Sequence, residues 1–499
     1  MLSRECGSER SYRICFESIM FVRKLPYIIY RAYPTKGYLT DNRNFGYDTA
    51  AKSCLKVGDL LISHEGSIFY SQLENDVRSV DEIAKKLTTI FTGVRYEVLL
   101  EDATAFYAEL AEKGFVECVE GIDAGKSSNY FSYDNYEPCI LHAEINAPVE
   151  YNEVFAGEYS LTRVHVDISS RCNENCVHCY IPIACKRSMM DDDMFDKVLN
   201  QCVDMKIINI TLSGGEPMLN PHLKSFLIKC GEANLSVNIL SNLTCLSDEL
   251  LDVIASNPLI CVQTSVYAMD ADVHDSITQH KGSFQKTISA IRELHKRNVP
   301  MQINCPIMKQ NLHCYREVLE FAKSLNIEAS SDYILFGCYD SSGINLGCRI
   351  TKVDIEDVLD ADYTNANVYD EAIRTINQKN VGDDEPICTV CKSSLCISNT
   401  GDVYPCEGWQ RMVLGNLNAM TLRQIWEDSP LTKHLRDLKY RDFEECSVCR
   451  DRKYCTTCLI MNANENDGGD CMRVNPYMCE LARIKRFVIE GKVGEKVRF

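Results

Sequence analysis

The sequence predicts an α/β protein in three parts: a partial (β/α)6 barrel, a winged-helix-like unit before it and a cysteine-rich unit after it. Three observations lead to this fold class. Strand-like and helix-like patterns alternate six times in the middle of the chain, the first 130 residues carry a separate pattern, and cysteines are concentrated near the end. Alternation of this kind is typical of a parallel sheet covered by helices.

The predicted boundaries follow the change from one pattern to the next. A chain of 499 residues with 45% hydrophobic residues is long enough for several cores. We predict a recognition unit over 1–130, a linker over 131–160, the barrel over 161–345, a bridging region over 346–385 and the cysteine-rich unit over 386–499.

Short runs rich in β-branched residues predict the six barrel strands. The runs are 164–168, 207–212, 237–240, 260–266, 301–307 and 331–336. Helical spacing of apolar residues predicts helices such as 283–297 and 315–325 between them. In open α/β sheets ligands bind beyond the carboxyl ends of the strands, so we expect the functional site there.

The first chemical motif directly follows the first of these strands. Cys172, Cys176 and Cys179 have the spacing C-x3-C-x2-C, which supplies three thiolates where a four-iron cube needs four. An iron without a protein ligand can bind a small molecule directly, which favours a catalytic site over a simple electron relay. A zinc site or ordinary buried thiols remain alternatives, although structural zinc normally takes four ligands.

The second motif follows the second predicted strand. Gly214 and Gly215 let the backbone approach a ligand closely, and exposed carbonyl groups together with Glu216 can hold an ammonium group. Combined with the three-cysteine motif, this Gly-Gly-Glu-Pro loop resembles the radical S-adenosylmethionine (radical SAM) superfamily. The resemblance implies that the three cysteines bind a [4Fe–4S] cluster whose open iron is chelated by SAM. It also implies that the two glycines and Glu216 meet the SAM amino group.

The same resemblance points to the ends of the next strands. Ser241 and Asn242 fall where the superfamily contacts the ribose or carboxylate of SAM, and Ser265 occupies the following strand end. All three residue types are also common in turns. His178 departs from the superfamily, which usually has an aromatic residue before the third cysteine, but it still offers a flat ring.

A third motif contains eight cysteines, enough for two fully ligated cubes. Its spacing, together with the stretches 415–417 and 425–426, resembles the SPASM extension of radical SAM enzymes, which holds two auxiliary clusters. By that likeness the first auxiliary cluster is bound by Cys388, Cys391, Cys406 and Cys458. The second is bound by Cys446, Cys449, Cys455 and Cys479.

Two departures leave the individual ligands of the third motif open. The last C-x2-C pair is one residue shorter than the usual spacing, and two spare thiols, Cys396 and Cys471, lie close by as possible substitutes. Cys471 in particular is an alternative to Cys479. A pair of zinc sites is the structural alternative, because C-x2-C pairs also suit zinc.

The first 130 residues predict strands followed by two helices. Strands are expected at 27–30 and 59–63. One helix is expected to start at the capping box of Ser79, with Ile90 on its buried apolar face, and the next helix is expected to follow Asp102. This order resembles the PqqD-like domain of enzymes that modify ribosomally made peptides, in which a leader peptide adds to the sheet edge as a strand. The segment 59–102 is acidic, which argues against a winged helix that binds DNA. A dimerisation domain remains an alternative.

Charge and composition exclude several classes of partner. The net charge of −18 argues against general affinity for nucleic acid or anionic membranes. No run approaches the ~18 apolar residues of a membrane span, and the start lacks a secretion signal, so we expect a cytoplasmic protein. In the cytoplasm, 27 cysteines indicate reduced thiols and metal clusters rather than disulfides.

We therefore predict a radical SAM/SPASM peptide maturase with SAM and three [4Fe–4S] clusters. Its expected partners are a precursor peptide with a leader sequence and an electron donor such as flavodoxin or ferredoxin. By the resemblance, a 5′-deoxyadenosyl radical abstracts hydrogen from the peptide, and a thioether, carbon–carbon bond or ring closure follows. Glu407, directly after Cys406, would take the released proton, or is a solvated surface residue.

Two other functions remain as alternatives. A sulfatase-maturing enzyme, which forms formylglycine, would share the barrel and clusters but would not need the first 130 residues. A non-catalytic iron–sulfur protein would only transfer electrons or bind a partner, and the open iron argues against it.

Overall fold

The computed structural model describes residues 20–42, 58–119 and 159–496. Contacts divide the chain into two compact units. Among the described residues, the first unit contains 20–41 and 58–119, and the second contains Asn42 and 159–496. The predicted linker, 131–160, lies outside the described residues except for its last two positions.

The first unit combines two small sheets with helices. Its strands are β1 (Phe21–Lys24), β2 (Ile28–Tyr33), β3 (Lys36–Asp41), β4 (Asp59–Ser63), β5 (Arg78–Ser79) and β6 (Val116–Val119), and its helices are α1 (His64–Ser71), α2 (Val80–Ile90) and α3 (Tyr96–Glu112). In one sheet β1 lies between β5 and β6, and in the other β3 lies between β2 and β4. All four pairings are antiparallel.

The capping prediction is confirmed at α2, where Ser79 Oγ accepts a hydrogen bond from Glu82 N at 3.2 Å. Two details are wrong. Ile90 is 46% exposed instead of buried, and α3 begins at Tyr96 rather than after Asp102. The early turns of α3 bury only Leu99, so apolar periodicity is weak there. Helix α1 is not predicted by the sequence pattern, because its eight residues carry no regular apolar stripe.

The second unit is built on six parallel strands. They are β7 (Arg163–Ser169), β8 (Asn209–Gly214), β9 (Ser236–Leu240), β10 (Ile260–Ser265), β11 (Met301–Pro306) and β12 (Glu328–Asp332). Strands that follow each other in the chain are neighbours in the sheet, and every pairing among them is parallel. The parallel sheet predicted from the alternating pattern is confirmed, and it is consistent with a partial barrel.

The sixth strand lies at 328–332, whereas the sequence predicts it at 331–336. Glu328 and Ser330 are exposed on this edge strand, so it lacks the apolar run that marks the others. The apolar residues come just after it, and Leu335 is buried from a loop instead. The other five strands begin and end within two residues of the prediction.

Helices α4 to α9 follow the strands. They are α4 (Asp192–Asp204), α5 (Leu223–Glu232), α6 (Asp248–Ala255), α7 (Ala271–Thr278), α8 (Ser283–Lys296) and α9 (Tyr315–Ser324). The predictions for α8 and α9 are confirmed to within one residue. Val164, Val166 and Ile168 of β7 belong to the hydrophobic core. Because side chains alternate along a strand, His165 and Asp167 point to the opposite face of the sheet.

The cysteine-rich segment continues the same sheet. Strand β13 (Ser394–Ile397) pairs in parallel with β7, and β14 (Asp402–Tyr404) and β15 (Gly415–Asn416) extend it to nine strands. The bridging region contains α10 (Lys352–Asp362) and α11 (Ala366–Gln378). The remaining helices are α12 (Leu422–Glu427), α13 (Pro430–Asp437), α14 (Glu444–Ser447), α15 (Leu459–Glu465) and α16 (Pro476–Lys496). Among the residues described, no helix is both long and apolar enough to cross a bilayer.

A buried ion pair joins the end of the barrel to α15. The Arg349 guanidinium donates to both carboxylate oxygens of Glu465, at 2.6 and 2.9 Å, with side chains 11% and 8% exposed. Gly337 N and Asn475 Nδ2 also donate to this carboxylate, and Arg349 lies 3.9 Å from the centre of the Tyr477 ring. Each charge is therefore paired as well as buried.

We expect Arg349→Ala to lower the free energy of unfolding by about 3–5 kcal/mol, because it leaves the Glu465 carboxylate buried without its counter-charge. The matched control is Arg374→Ala, which removes an exposed partner of Glu371 and should cost about 0–1 kcal/mol. Urea unfolding of both variants measures the difference. Equal effects would show that the buried pair has no special part in stability.

Candidate cluster and cofactor site

The three-cysteine loop lies at the carboxyl end of β7, where the sequence predicts the site. Cys172, Cys176 and Cys179 are all unpaired and partly exposed. Backbone bonds from Asn175 N to Thr278 O (3.0 Å) and from Val177 N to Ile277 O (2.9 Å) hold the loop against the end of α7. The three thiols are therefore presented from a loop whose backbone is fixed.

The Gly-Gly turn at the end of β8 packs directly on the start of that loop. Gly215 N donates to Ser169 O (2.6 Å), and Glu216 N donates to Arg171 O (2.8 Å). Gly214 has φ +117°, a conformation that L side chains rarely adopt. A Cβ on Gly215 would overlap the Arg171 carbonyl oxygen. Both glycines are needed for the two motifs to lie together.

The Glu216 carboxylate is fully buried and links the ends of neighbouring strands. It accepts hydrogen bonds from Met218 N (2.8 Å), Ser241 Oγ (2.7 Å) and Asn242 N (2.8 Å). Burial raises the pKa of Glu216 to about 7, against the effect of these three donors. The Glu216 carboxylate therefore already has three hydrogen-bond donors within the protein.

The polar residues at the other strand ends meet around the cysteine loop. Asn242 Nδ2 donates to Asn173 Oδ1 (3.0 Å), which connects the end of β9 to the residue after Cys172. Ser241 is buried and is used by Glu216, whereas Ser265 is partly exposed and bonds to the Tyr267 side chain. The structure brings Asn242 and the two motifs together.

The loop also has a cover that the sequence analysis missed. From the segment after β12, Asn345 Nδ2 donates to His178 O (3.0 Å), Cys338 Sγ to Cys179 O (3.6 Å) and Cys348 Sγ to Val177 O (3.5 Å). Each contact uses a backbone carbonyl of the cysteine loop. No spacing pattern in the sequence marks these residues, because their side chains donate hydrogen bonds to backbone carbonyls and do not form a motif.

Two titratable side chains of the loop are largely removed from water: His178 is partly exposed and Glu174 is buried. The His178 ring packs against Tyr267, with ring centres 5.0 Å apart, and burial lowers its pKa to about 4, so it is neutral. Glu174 is 6% exposed, and burial raises its pKa to about 7. His178 therefore contributes an uncharged ring beside the thiols. The buried carboxyl group of Glu174 is a further feature of the loop that the sequence analysis missed.

The cysteines of the third motif fall into two groups by their influence on each other. Burial raises the pKa of Cys446 to about 12, and the neighbouring thiols of Cys455, Cys479 and Cys449 raise it as well. Burial raises the pKa of Cys458 to about 11, with Cys388 adding to it.

The group that contains Cys458 and Cys388 also includes Cys406 and Cys391. Cys458 in turn helps to raise the pKa of Cys406, and Cys388 that of Cys391, in both cases after burial. No other cysteine acts on the pKa of Cys471, whose elevation comes from burial and then Asp470. The assignment of these eight cysteines to two particular clusters stays a prediction of the SPASM likeness.

Spacing between ligand atoms separates a cube from a zinc site. Four sulfurs bound to one zinc at about 2.3 Å lie about 3.8 Å apart. Among the described residues, the single group of three or more potential ligands within 4.8 Å of one another includes none of the motif cysteines. Among the described residues, the motif sulfur atoms therefore do not stand at the spacing of a four-sulfur zinc site in this structure.

Glu407 sits beside Cys406 in a recess. Its side chain is accessible, yet protein surrounds it, and Cys406 Sγ donates to Glu407 Oε2 at 3.0 Å. Burial alone would raise its pKa, but the charge of His165 and the bond from Cys406 lower it below its usual value. Glu407 is therefore ionised and not a freely solvated surface residue.

Two segments of the chain match known families. Residues 166–322 match the Radical SAM superfamily, and residues 388–458 match SPASM, an iron-sulfur cluster-binding domain. The first segment covers β7 to α9 with both motif loops, and the second contains seven of the eight cysteines of the third motif, from Cys388 to Cys458.

The chain is similar to curated proteins over about three fifths of its length. The AdoMet-dependent heme synthase of Methanosarcina barkeri is 25% identical over 335 residues, 62% of this chain and 94% of the relative. The antilisterial bacteriocin subtilosin biosynthesis protein AlbA of Bacillus subtilis is 23% identical over 311 residues, 60% of this chain and 67% of the relative.

The fold resembles a solved structure over most of its length. Streptococcus suis SuiB bound to its precursor peptide SuiA covers 90% of this chain and 99% of its own, with a TM-score of 0.56 and 16% sequence identity.

We expect Gly215→Ala to displace the start of the cysteine loop, because the added Cβ would overlap Arg171 O and lie 2.8 Å from Ser170 O. Iron bound after anaerobic reconstitution should fall by about four per chain, the content of one cube. The control is Gly347→Ala, where a Cβ meets nothing within 4 Å. Full iron content in both variants would contradict the idea that the Gly-Gly turn holds this loop.

Proposed function

We propose that the chain, which is a radical SAM enzyme with a SPASM iron–sulfur segment, modifies a ribosomally made precursor peptide. The observation that carries the proposal is the three-thiol loop held at the carboxyl end of β7 by the Gly-Gly turn. The peptide substrate is supported by the likeness to SuiB, which is bound to a precursor peptide, and to a bacteriocin biosynthesis protein.

In this proposal Cys172, Cys176 and Cys179 hold a [4Fe–4S] cluster that leaves one iron open for SAM. Together the two groups would supply a 5′-deoxyadenosyl radical that abstracts hydrogen from the peptide. The part of the protein is to position and enclose them. The buried Glu216 links the ends of β8 and β9, and Gly214 and Gly215 allow the end of β8 to pack closely on the cysteine loop.

The auxiliary clusters would be held by the two groups of thiols described above. The first set is Cys388, Cys391, Cys406 and Cys458, and the second is Cys446, Cys449, Cys455 and Cys479. Glu407 is ionised beside Cys406 and lies in an accessible recess, so it is suited to take the proton lost when the peptide radical is oxidised. The product would be a thioether, a carbon–carbon bond or a ring closure.

The first unit would bind the leader of the precursor as a PqqD-like domain. Its sheets are small and antiparallel, and edge strands of this kind can take up an extended peptide through main-chain hydrogen bonds. A small acidic electron carrier such as flavodoxin or ferredoxin would deliver the reducing electron. The sulfatase-maturing alternative would leave the first unit without a task.

The test uses the reconstituted enzyme, SAM and synthetic peptides encoded by short reading frames next to the gene. We expect one of these peptides to bind and to be modified, as seen by mass spectrometry. Removal of residues 1–125 should abolish peptide binding while SAM cleavage is retained. Unchanged processing of a leaderless peptide by the shortened chain would instead favour the sulfatase-maturing type.

Replacement of the three loop cysteines is the second test of this proposal. The variant Cys172→Ala/Cys176→Ala/Cys179→Ala should lose SAM cleavage under strict anoxia, because the iron that would bind SAM has no site. The control, Cys230→Ala, removes a fully buried core thiol. Undiminished cleavage in the triple variant would refute the proposed site.

A further inference from the structure

One compact group of potential metal ligands contains none of the motif cysteines. The ligand atoms of His165, Asp167 and Cys396 all lie within 4.8 Å of one another. His165 Nε2 is 3.1 Å from Asp167 Oδ1, and Cys396 Sγ is 4.0 Å from Asp167 Oδ2. We propose that these three residues form a binding site for one divalent ion of the zinc class.

The backbone fixes this arrangement. Strands β7 and β13 pair in parallel with Cys396 opposite His165, so the two side chains stand next to each other on one face of the sheet. Asp167 is two residues further along β7 and therefore shares that face. All three ligands are carried by strands rather than loops, which is the more rigid way to build a metal site.

The separations suit a tetrahedral ion. Zinc binds nitrogen and oxygen at about 2.0–2.2 Å and sulfur at about 2.3 Å, so its ligand atoms lie about 3.2–3.8 Å apart. The two observed separations, 3.1 Å from His165 Nε2 to Asp167 Oδ1 and 4.0 Å from Cys396 Sγ to Asp167 Oδ2, lie on either side of that range. A mixed nitrogen, oxygen and sulfur set favours zinc over magnesium or calcium, which prefer oxygen alone.

A fourth residue orients the carboxylate. Gln410 Nε2 donates to Asp167 Oδ2 at 2.7 Å, the same oxygen that lies 4.0 Å from Cys396 Sγ, and Asp167 Oδ1 lies beside His165. Hydrogen bonds to a metal-binding carboxylate commonly set its orientation. The group therefore resembles a metal site with its supporting contact already in place.

The surrounding charge also favours a cation. The carboxylates of Asp167 and Glu407 both lie near Cys396. A bound dication would offset these charges and convert the thiol to a thiolate ligand. Three protein ligands leave one position open, as in catalytic zinc sites, for water or a substrate heteroatom.

The test is zinc binding by the full chain with its iron–sulfur clusters already assembled. After addition of Zn²⁺ and desalting, we expect about one zinc per chain, with a zinc-edge X-ray absorption spectrum of one sulfur at about 2.3 Å and nitrogen or oxygen at about 2.0–2.1 Å. This ion should be lost in Cys396→Ser and His165→Gln. It should persist in Cys261→Ser, a buried thiol on the same face of the sheet that contacts Asn238.

Two results would overturn the proposal. One is zinc content that is the same in wild type and both variants, and the other is a spectrum dominated by four sulfurs, which would assign the ion to the cysteine motifs. The wild-type spectrum decides without any variant, should a variant fail to fold. The inference does not rest on the peptide substrate, because SAM cleavage and cluster content are measured separately.

Discussion

The architecture of the site depends on one close approach, where the end of β8 meets the start of the cysteine loop. Gly214 and Gly215 allow backbone to pack on backbone, since any side chain there would overlap the Ser169 or Arg171 carbonyl. Hydrogen bonds from Gly215 N and Glu216 N then lock the two loops together. Glu216 extends this constraint to the end of β9, because its buried carboxylate accepts a hydrogen bond from Asn242 N. The thiols are thus held by neighbouring strand ends and not by their own loop alone.

Much of this site could be predicted from sequence because its parts are local. The motif loops are marked by residue types with special backbone freedom or metal affinity, and the strands by apolar runs that bury one face. The parts that escaped prediction depend on tertiary contact. Asn345 and Cys338 bond to backbone carbonyls of the loop, and the sixth strand lies at an exposed edge, where burial leaves no apolar signature.

The face of β7 opposite the hydrophobic core carries a sequence pattern that is easily overlooked. Its apolar residues Val164, Val166 and Ile168 identify a strand, while His165 and Asp167 occupy the alternate positions. Polar residues at alternate positions of an otherwise apolar strand mark the face that is turned away from the core. What the sequence alone could not provide is the register with β13, which brings Cys396 beside them from more than two hundred residues away.

The continuous sheet has a consequence for how such proteins can be recombined. A cut between the barrel and the cysteine-rich segment would remove β13 from the edge of β7 and leave the main chain of residues 163–166 without this neighbour. Exposed edges of that kind invite aggregation. Grafting of another protein's C-terminal part onto this barrel would therefore have to supply a matching β13, in register, and not merely join two sequences at a flexible connection.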